Sequence, residues 1–171
     1  MNNTKFLLFF LLLPMLAVAK APPQAPQQNA VASGHFLATK AGQEILANGG
    51  NAFDAAVAVS ATLSVVEPVS SGIGGGGLFL LKHAKTGREV MLDARETAPH
   101  SATPDVYLDA TGQLDRDKSV NGPLSAGIPG LPAALVHLAK NYGRLPLSQS
   151  LAPAIRIARN GFEIYPRLES G

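Results

Sequence analysis

One side chain in this sequence stands out as a recognition group. Arg95 follows the apolar run Val90-Met91-Leu92, at a point where a β-strand would deliver it to the edge of a sheet. A guanidinium in such a place can clamp a carboxylate through two parallel hydrogen bonds, which a lysine ammonium cannot copy. Upstream, Gly72, Gly74, Gly75, Gly76 and Gly77 directly precede the apolar segment Leu78-Phe79-Leu80-Leu81. Glycines in that position remove side chains where the backbone bends sharply or is approached closely. A glycine-lined space beside one guanidinium fits a small anionic substrate. Two blander readings compete: Arg95 paired with Glu96 on the surface, and a glycine turn that only lets a helix pack on a sheet.

The other chemistry-bearing residues form no known constellation. Gly72, Gly74 and Gly77 satisfy G-x-G-x-x-G, but a helix pattern precedes them and a strand pattern follows. A dinucleotide site needs the reverse order, so that pyrophosphate meets a helix N-terminus. Asp115, Asp117 and Ser119 resemble the start of a calcium loop, yet Val120 and Ala126 stand where glycine and glutamate are required. His35, His83, His100 and His137 offer no ligand pair at helical spacing, so no metal site is expected. Ser70-Ser71 could supply a nucleophile, but nothing in the sequence nominates a base. These hydroxyls are expected to bond backbone amides in the turn.

The elements that must position these residues read as follows. Leu37, Ala38, Ala41, Ile45 and Leu46 recur at helical spacing and Gly49-Gly50 supplies a stop. Asn51 and Asp54 form a capping-box pattern before a second helix over 52–66, apolar or small almost throughout and therefore buried. Pro68 ends it. The segments 77–82 and 89–93 flank Lys85-Thr86-Gly87 as a hairpin, and 101–127 reads mostly as loop. A third helix is expected near Pro129, with Leu131, Leu135, Leu138 and Tyr142 on one face and Gly143 closing it. A fourth should begin at Ser150, with Pro153 in its first turn, and end at Asn160-Gly161. Local strand pairing with helices on either side gives an α+β class.

Composition sets the limits. Lys5, the apolar run Phe6 to Leu13 and Ala17-Val18-Ala19 have the form of a secretory signal peptide over 1–19. The Pro/Gln-rich segment 20–29 reads as an extended leader, leaving 30–171 as the folded part. The expected location is the periplasm or the medium, with no membrane attachment after signal removal. With no cysteine there is no disulfide framework or lipoprotein site. A net charge of +2 without a basic tract argues against nucleic acid. Two strands cannot make an independent sheet of useful size, so a longer protein is expected.

Several blocks together carry a resemblance: Val31 to Leu81 (VASGHFLATK…GIGGGGLFLL), then LDARETAP at 92–99, GIPG at 127–130, and LAPAIRIARNGF at 151–162. In order and spacing they resemble the N-terminal part of the gamma-glutamyltransferase (gamma-glutamyltranspeptidase) large subunit. The resemblance implies part of an N-terminal-nucleophile hydrolase fold, a four-layer αββα sandwich. It implies a precursor that cleaves itself into two subunits, with a threonine freed as nucleophile at the start of the small one. That threonine would attack the γ-carbonyl of glutathione or another γ-glutamyl compound, giving a γ-glutamyl-enzyme resolved by water or an acceptor. No cofactor is implied. Only one site residue carries over: Arg95, the arginine of the family's RE-x-AP segment, would hold the α-carboxylate of the γ-glutamyl group. Glu96 would be structural, orienting that arginine. The nucleophile, and hence every catalytic residue, would lie in the C-terminal part of the precursor, so this chain alone is expected to be inactive. Two other readings are a cephalosporin acylase of the same fold and a non-catalytic exported binding module.

Overall fold

The structure, a computed structural model, describes residues 29–170. The expected signal peptide and all of the leader but Asn29 lie outside the described residues. Helix α1 (Phe36–Ala47) buries Ala38, Ala41 and Ile45, the stripe its spacing dictates. His35 caps it, its Nδ1 accepting the Leu37 amide hydrogen at 3.2 Å.

Helix α2 (Ala52–Val66) opens with the expected capping box. Asn51 Oδ1 accepts from the amides of Phe53 and Asp54 at 2.8 and 3.1 Å, and Asp54 Oδ2 accepts from the Asn51 amide at 2.8 Å. A helix N-terminus leaves such groups unpaired unless side chains meet them. Asp54 nevertheless has no exposed surface. The reason lies ninety residues further on, where the Arg144 amide donates to Oδ2 at 2.9 Å and the Leu145 amide to Oδ1 at 3.3 Å. Asn51 Nδ2 adds a bond to the Tyr142 carbonyl at 2.7 Å. The start of α2 is thereby stitched to the turn between α4 (Leu131–Asn141) and α5 (Leu147–Asn160). Gly143 lies against this knot, and a Cβ there would collide with Asp54 Oδ1.

Strands β1 (Leu78–Lys82) and β2 (Glu89–Asp93) form the expected antiparallel hairpin, with Leu80 opposite Met91. Gly77 and Ala94 extend the ladder by exchanging hydrogen bonds of 3.1 and 2.9 Å. Alternation turns Phe79, Leu81, Val90 and Leu92 toward the core. There they meet Val57 and Ala61 of α2, Leu131, Leu135 and Leu138 of α4, and Ala154 of α5. A smaller cluster of Ala41, Ile45 and Ala58 joins α1 to α2. The opposite hairpin face stays open, with Leu78, Leu80 and Met91 exposed to 63, 71 and 60%.

The structure moves several expected boundaries. Helix α5 begins at Leu147, because the Pro146 carbonyl already accepts from the amides of Gln149 and Ser150 at 2.9 and 3.3 Å. Pro153 therefore sits inside the helix, not in its first turn, and forgoes the bond to the Gln149 carbonyl. Its ring is buried, so packing compensates. In α4 the first-turn proline is Pro132 instead of Pro129. The loop over 101–127 contains a short helix α3 (Arg116–Val120), which Asp115 caps by accepting from the amides of Asp117 and Lys118 at 3.0 and 3.1 Å. That carboxylate, expected as a solvated loop charge, has a structural partner. A last short helix α6 (Pro166–Glu169) was not foreseen. Among the described residues no helix is long and apolar enough to cross a membrane.

The Asp54 knot can be tested with an isosteric change. In Asp54→Asn one oxygen becomes an NH2 group facing amide donors, which leaves buried N–H groups unpaired. A loss of about 3 kcal/mol in unfolding free energy is expected from denaturant titration. A change below about 0.5 kcal/mol would show that the knot does not hold the helices together.

Candidate functional site

Ala94, Arg95 and Glu96 run between two glycine-containing segments. On one side Gly77 pairs with Ala94, and the Leu131 amide donates to the Gly75 carbonyl at 3.1 Å. On the other, Thr97 and Ile128 exchange bonds of 3.1 and 2.8 Å. The fit leaves no room for side chains. A Cβ on Gly76 would lie 2.5 Å from the Ala94 carbonyl oxygen and 2.8 Å from Arg95 Cα. One on Gly130 would overlap the carbonyls of Ala94 and Arg95. None of the five glycines in the run adopts positive φ. The run serves both ends: it turns at 72–75, where the Gly75 amide donates to the Gly72 carbonyl at 3.3 Å, and Gly76 permits the close approach.

The glycine run lines a cavity of about 500 Å³ with Ser64, Pro68, Ser70, Ser71 and Leu131. The charged residue on its wall is Glu96, whereas Arg95 lines a separate depression of about 240 Å³ beside Asp93, Gly130 and His137. Successive residues of an extended segment point to opposite sides, which separates the two. Arg95 flanks that space and reaches back to it, with Nε 3.3 Å from Glu96 Oε2. Its side chain is 66% exposed. Among the described residues its terminal nitrogens make no hydrogen bond, which leaves the bidentate edge open. Glu96 Oε2 is buried and lacks a hydrogen bond of good geometry among the described residues. Glu96 also lines a second cavity of about 450 Å³ near Tyr107 and Pro123.

A further group escaped sequence reasoning. Glu67, the C-cap of α2, is buried, and its Oε2 accepts from the Ser70 hydroxyl at 2.9 Å. Its carbonyl accepts from the amides of Ser70 and Ser71 at 3.0 and 2.7 Å. The Ser70 hydroxyl thus bonds a carboxylate, not the expected backbone amide. From the far end of the chain, Tyr165 Oη donates to the Val66 carbonyl at 2.9 Å, and the same hydroxyl neighbours the Glu67 carboxylate. The phenol has one proton for two acceptors, the Val66 carbonyl and the Glu67 carboxylate. The Tyr165 hydroxyl first and the Ser70 hydroxyl second hold the Glu67 carboxyl below its ordinary value. Burial and then Glu67 push the Tyr165 phenol up. A carboxylate so stabilised is a weakened base, so Ser70 is not activated as a nucleophile. Among the described residues no cluster of His, Cys, Asp and Glu could hold a metal ion. Around Arg95 and the glycine run, the described residues offer binding and shape.

Helices on a paired hairpin, with a glycine-packed arginine segment at the hairpin's end, match solved transpeptidases and acylases of the N-terminal-nucleophile hydrolase fold. The structure superimposes on gamma-glutamyltranspeptidase from Helicobacter pylori with a TM-score of 0.80 and 42% identity, covering 87% of this chain and 42% of that one. It also matches cephalosporin acylase from Bacillus halodurans, at a TM-score of 0.69 and 35% identity over 88% of this chain and 29% of that one. The "Glutathione hydrolase proenzyme" of Escherichia coli (strain K12) is 43% identical over 146 residues, 85% of this chain and 25% of that protein. The Gamma-glutamyltranspeptidase family profile matches residues 38–170, and the chain belongs to that family. It spans about a quarter of the length of the curated relatives it matches.

Two measurements check this geometry. Gly76→Ala should push the Ala94–Glu96 backbone away and lower thermal stability, since the groups it meets are main-chain atoms that cannot step aside. For Glu67 the native carboxyl is harder to protonate than the unfolded one. Its contribution is complete above the ordinary value of 4.5 and is lost as pH falls below that toward the depressed native value. Urea titrations between about pH 3 and 6 should therefore show a shallower acid-side loss of stability for Glu67→Gln than for the parent. Parallel profiles would contradict the assignment.

Proposed function

We propose that this chain forms the N-terminal, donor-binding part of a gamma-glutamyltransferase or glutathione hydrolase. Arg95 holds the α-carboxylate of a γ-glutamyl compound such as glutathione. The supporting observation is the open edge of its guanidinium, carried on a backbone segment fixed by Gly76 and Gly130. A bidentate grip needs two coplanar donors in a rigid frame, and the glycine packing supplies that rigidity. Glu96, at 3.3 Å from Nε, orients the guanidinium by engaging the nitrogen that a bidentate carboxylate would leave unused.

In this reading the nucleophilic threonine and the oxyanion donors belong to a small subunit of the same precursor, cut free by self-cleavage. The word "proenzyme" in the names of relatives supports a precursor. The γ-glutamyl group passes to the threonine hydroxyl with release of the amine, and water or an amino-acid acceptor then releases it. The product is exported to the periplasm or the medium, as the signal-type sequence at 1–19 supports. Acylase chemistry is the weaker alternative, since similarity to the acylases is lower in TM-score and identity.

The test uses the complete precursor and γ-glutamyl-p-nitroanilide. Arg95→Ala should lower kcat/KM by about 100-fold, the worth of a charge-assisted pair of hydrogen bonds, and Arg95→Lys should recover little of it. Retention of parental kcat/KM in Arg95→Ala would remove the carboxylate-clamp assignment. The 171-residue chain expressed alone should show no turnover of the same compound.

A further inference from the structure

The geometry points to Glu67, Ser70 and Tyr165 as positioning residues that set the rim of the glycine-lined cavity and so tune how tightly the donor is held. This inference rests on the donor-site reading given under the proposed function, with the rest of the donor lying in the glycine-lined cavity that Arg95 flanks. The chain leaves α2 at Glu67, turns through Pro68 and Val69, and reaches Ser70 and Ser71, which line the 500 Å³ cavity together with the glycines. A turn of this length has few internal restraints of its own, and three bonds converge on one residue to fix it. The Glu67 carbonyl takes the amides of Ser70 and Ser71, and its carboxylate takes the Ser70 hydroxyl at 2.9 Å. Pro68, Val69 and Ser70 are exposed, so packing does not hold the turn in place.

Tyr165 completes the arrangement from outside the helical core. It anchors the segment before α6 to the Val66 carbonyl at 2.9 Å, at the point where α2 ends. That carbonyl belongs to the last helical turn and has no partner within the helix. The His35 ring lies 5.2 Å from the Tyr165 ring and limits the phenol's movement. The rim of the cavity is thus tied to sequence almost a hundred residues away. Among the described residues none of the three side chains makes a hydrogen bond or ion pair with Arg95, so their effect should fall on fit, not on the charged contact. Binding from rim residues that touch no reacting atom is uniform between ground and transition state, so it changes KM and leaves kcat alone.

The experiment uses the complete precursor with γ-glutamyl-p-nitroanilide and four variants. Ser70→Ala and Tyr165→Phe should each raise KM by about threefold or more with kcat within about twofold of the parent. Ser70→Thr keeps the hydroxyl at an exposed position and should restore the parental KM. The double variant Ser70→Ala/Tyr165→Phe should raise KM by less than the product of the single effects, because both act on the end of α2 at Val66 and Glu67. A purely structural role would lower Tm equally in Ser70→Ala and Ser70→Thr and leave KM unmoved, which would overturn the inference. So would a fall in kcat at constant KM. Arg95→Ala measured alongside separates the two levels. Loss in Arg95→Ala with parental KM in Ser70→Ala and Tyr165→Phe removes this inference alone; parental kcat/KM in Arg95→Ala removes both.

Discussion

A single buried carboxylate holds the architecture together. Asp54 begins as half of a capping box, a local device that any helix N-terminus can use. Two further amides, from Arg144 and Leu145, turn it into a long-range clasp between α2 and the α4–α5 turn. Burying an ionised carboxylate is costly unless its lone pairs are met, and three main-chain N–H groups meet them here. Because α2 packs against α1, α4 and α5, fixing its start fixes the bundle on which the hairpin rests. The Arg95 segment hangs from that hairpin and from the start of α4, so the site inherits its geometry from the clasp.

How much of this was legible in the sequence depended on range. Elements specified by neighbours could be read: the Asn51–Asp54 box, the Ala38/Ala41/Ile45 stripe, and the hairpin around Thr86-Gly87. The burial of Asp54 could not, because its explanation sits ninety residues away. Glu67 and Tyr165 were missed for the same reason, being ninety-eight positions apart with no shared periodicity. Pro153 misled the start of α5, since a first-turn proline is the cheaper arrangement and the buried ring that offsets an interior one is a tertiary fact. At the site, Arg95 was found through residue type and a family resemblance. Its sidedness was not, because alternation places Glu96 on the glycine cavity and only the register of β2 decides which of the two faces it.

The hairpin shows what kind of layer this is. One face, Phe79, Leu81, Val90 and Leu92, is packed on helices, while Leu78, Leu80 and Met91 present apolar surface outward. Solvated sheet faces are ordinarily polar, and here the outward face carries Leu78 and the Leu80–Met91 pair at its centre, with Asp93 and the Lys82–Glu89 ion pair at its ends. Such a pattern belongs to a sheet between two layers, which agrees with the sandwich of the family to which the chain belongs. It also explains why α2 carries half-buried Ser60, Leu63 and Ser64 along the cavity when its sequence is apolar or small almost throughout.

Three carboxylates illustrate how the same group serves different ends. Asp54 is satisfied by backbone donors and does structural duty only. Glu67 is satisfied by Ser70, and its depressed proton affinity makes it a fixed acceptor, not a base. Glu96 differs from both, for Oε2 is buried on a cavity wall with only the off-axis Arg95 Nε beside it. Buried hydroxyls of Thr62 and Ser150 also lack partners, but a neutral hydroxyl costs far less to strand than a carboxylate oxygen. At the site, unmet charge lies on Arg95 and Glu96, on a backbone segment that Gly76 and Gly130 keep from shifting. A site in which the rigid part is backbone and the unmet part is charge gains most from a charged ligand, since little ordering remains to oppose binding.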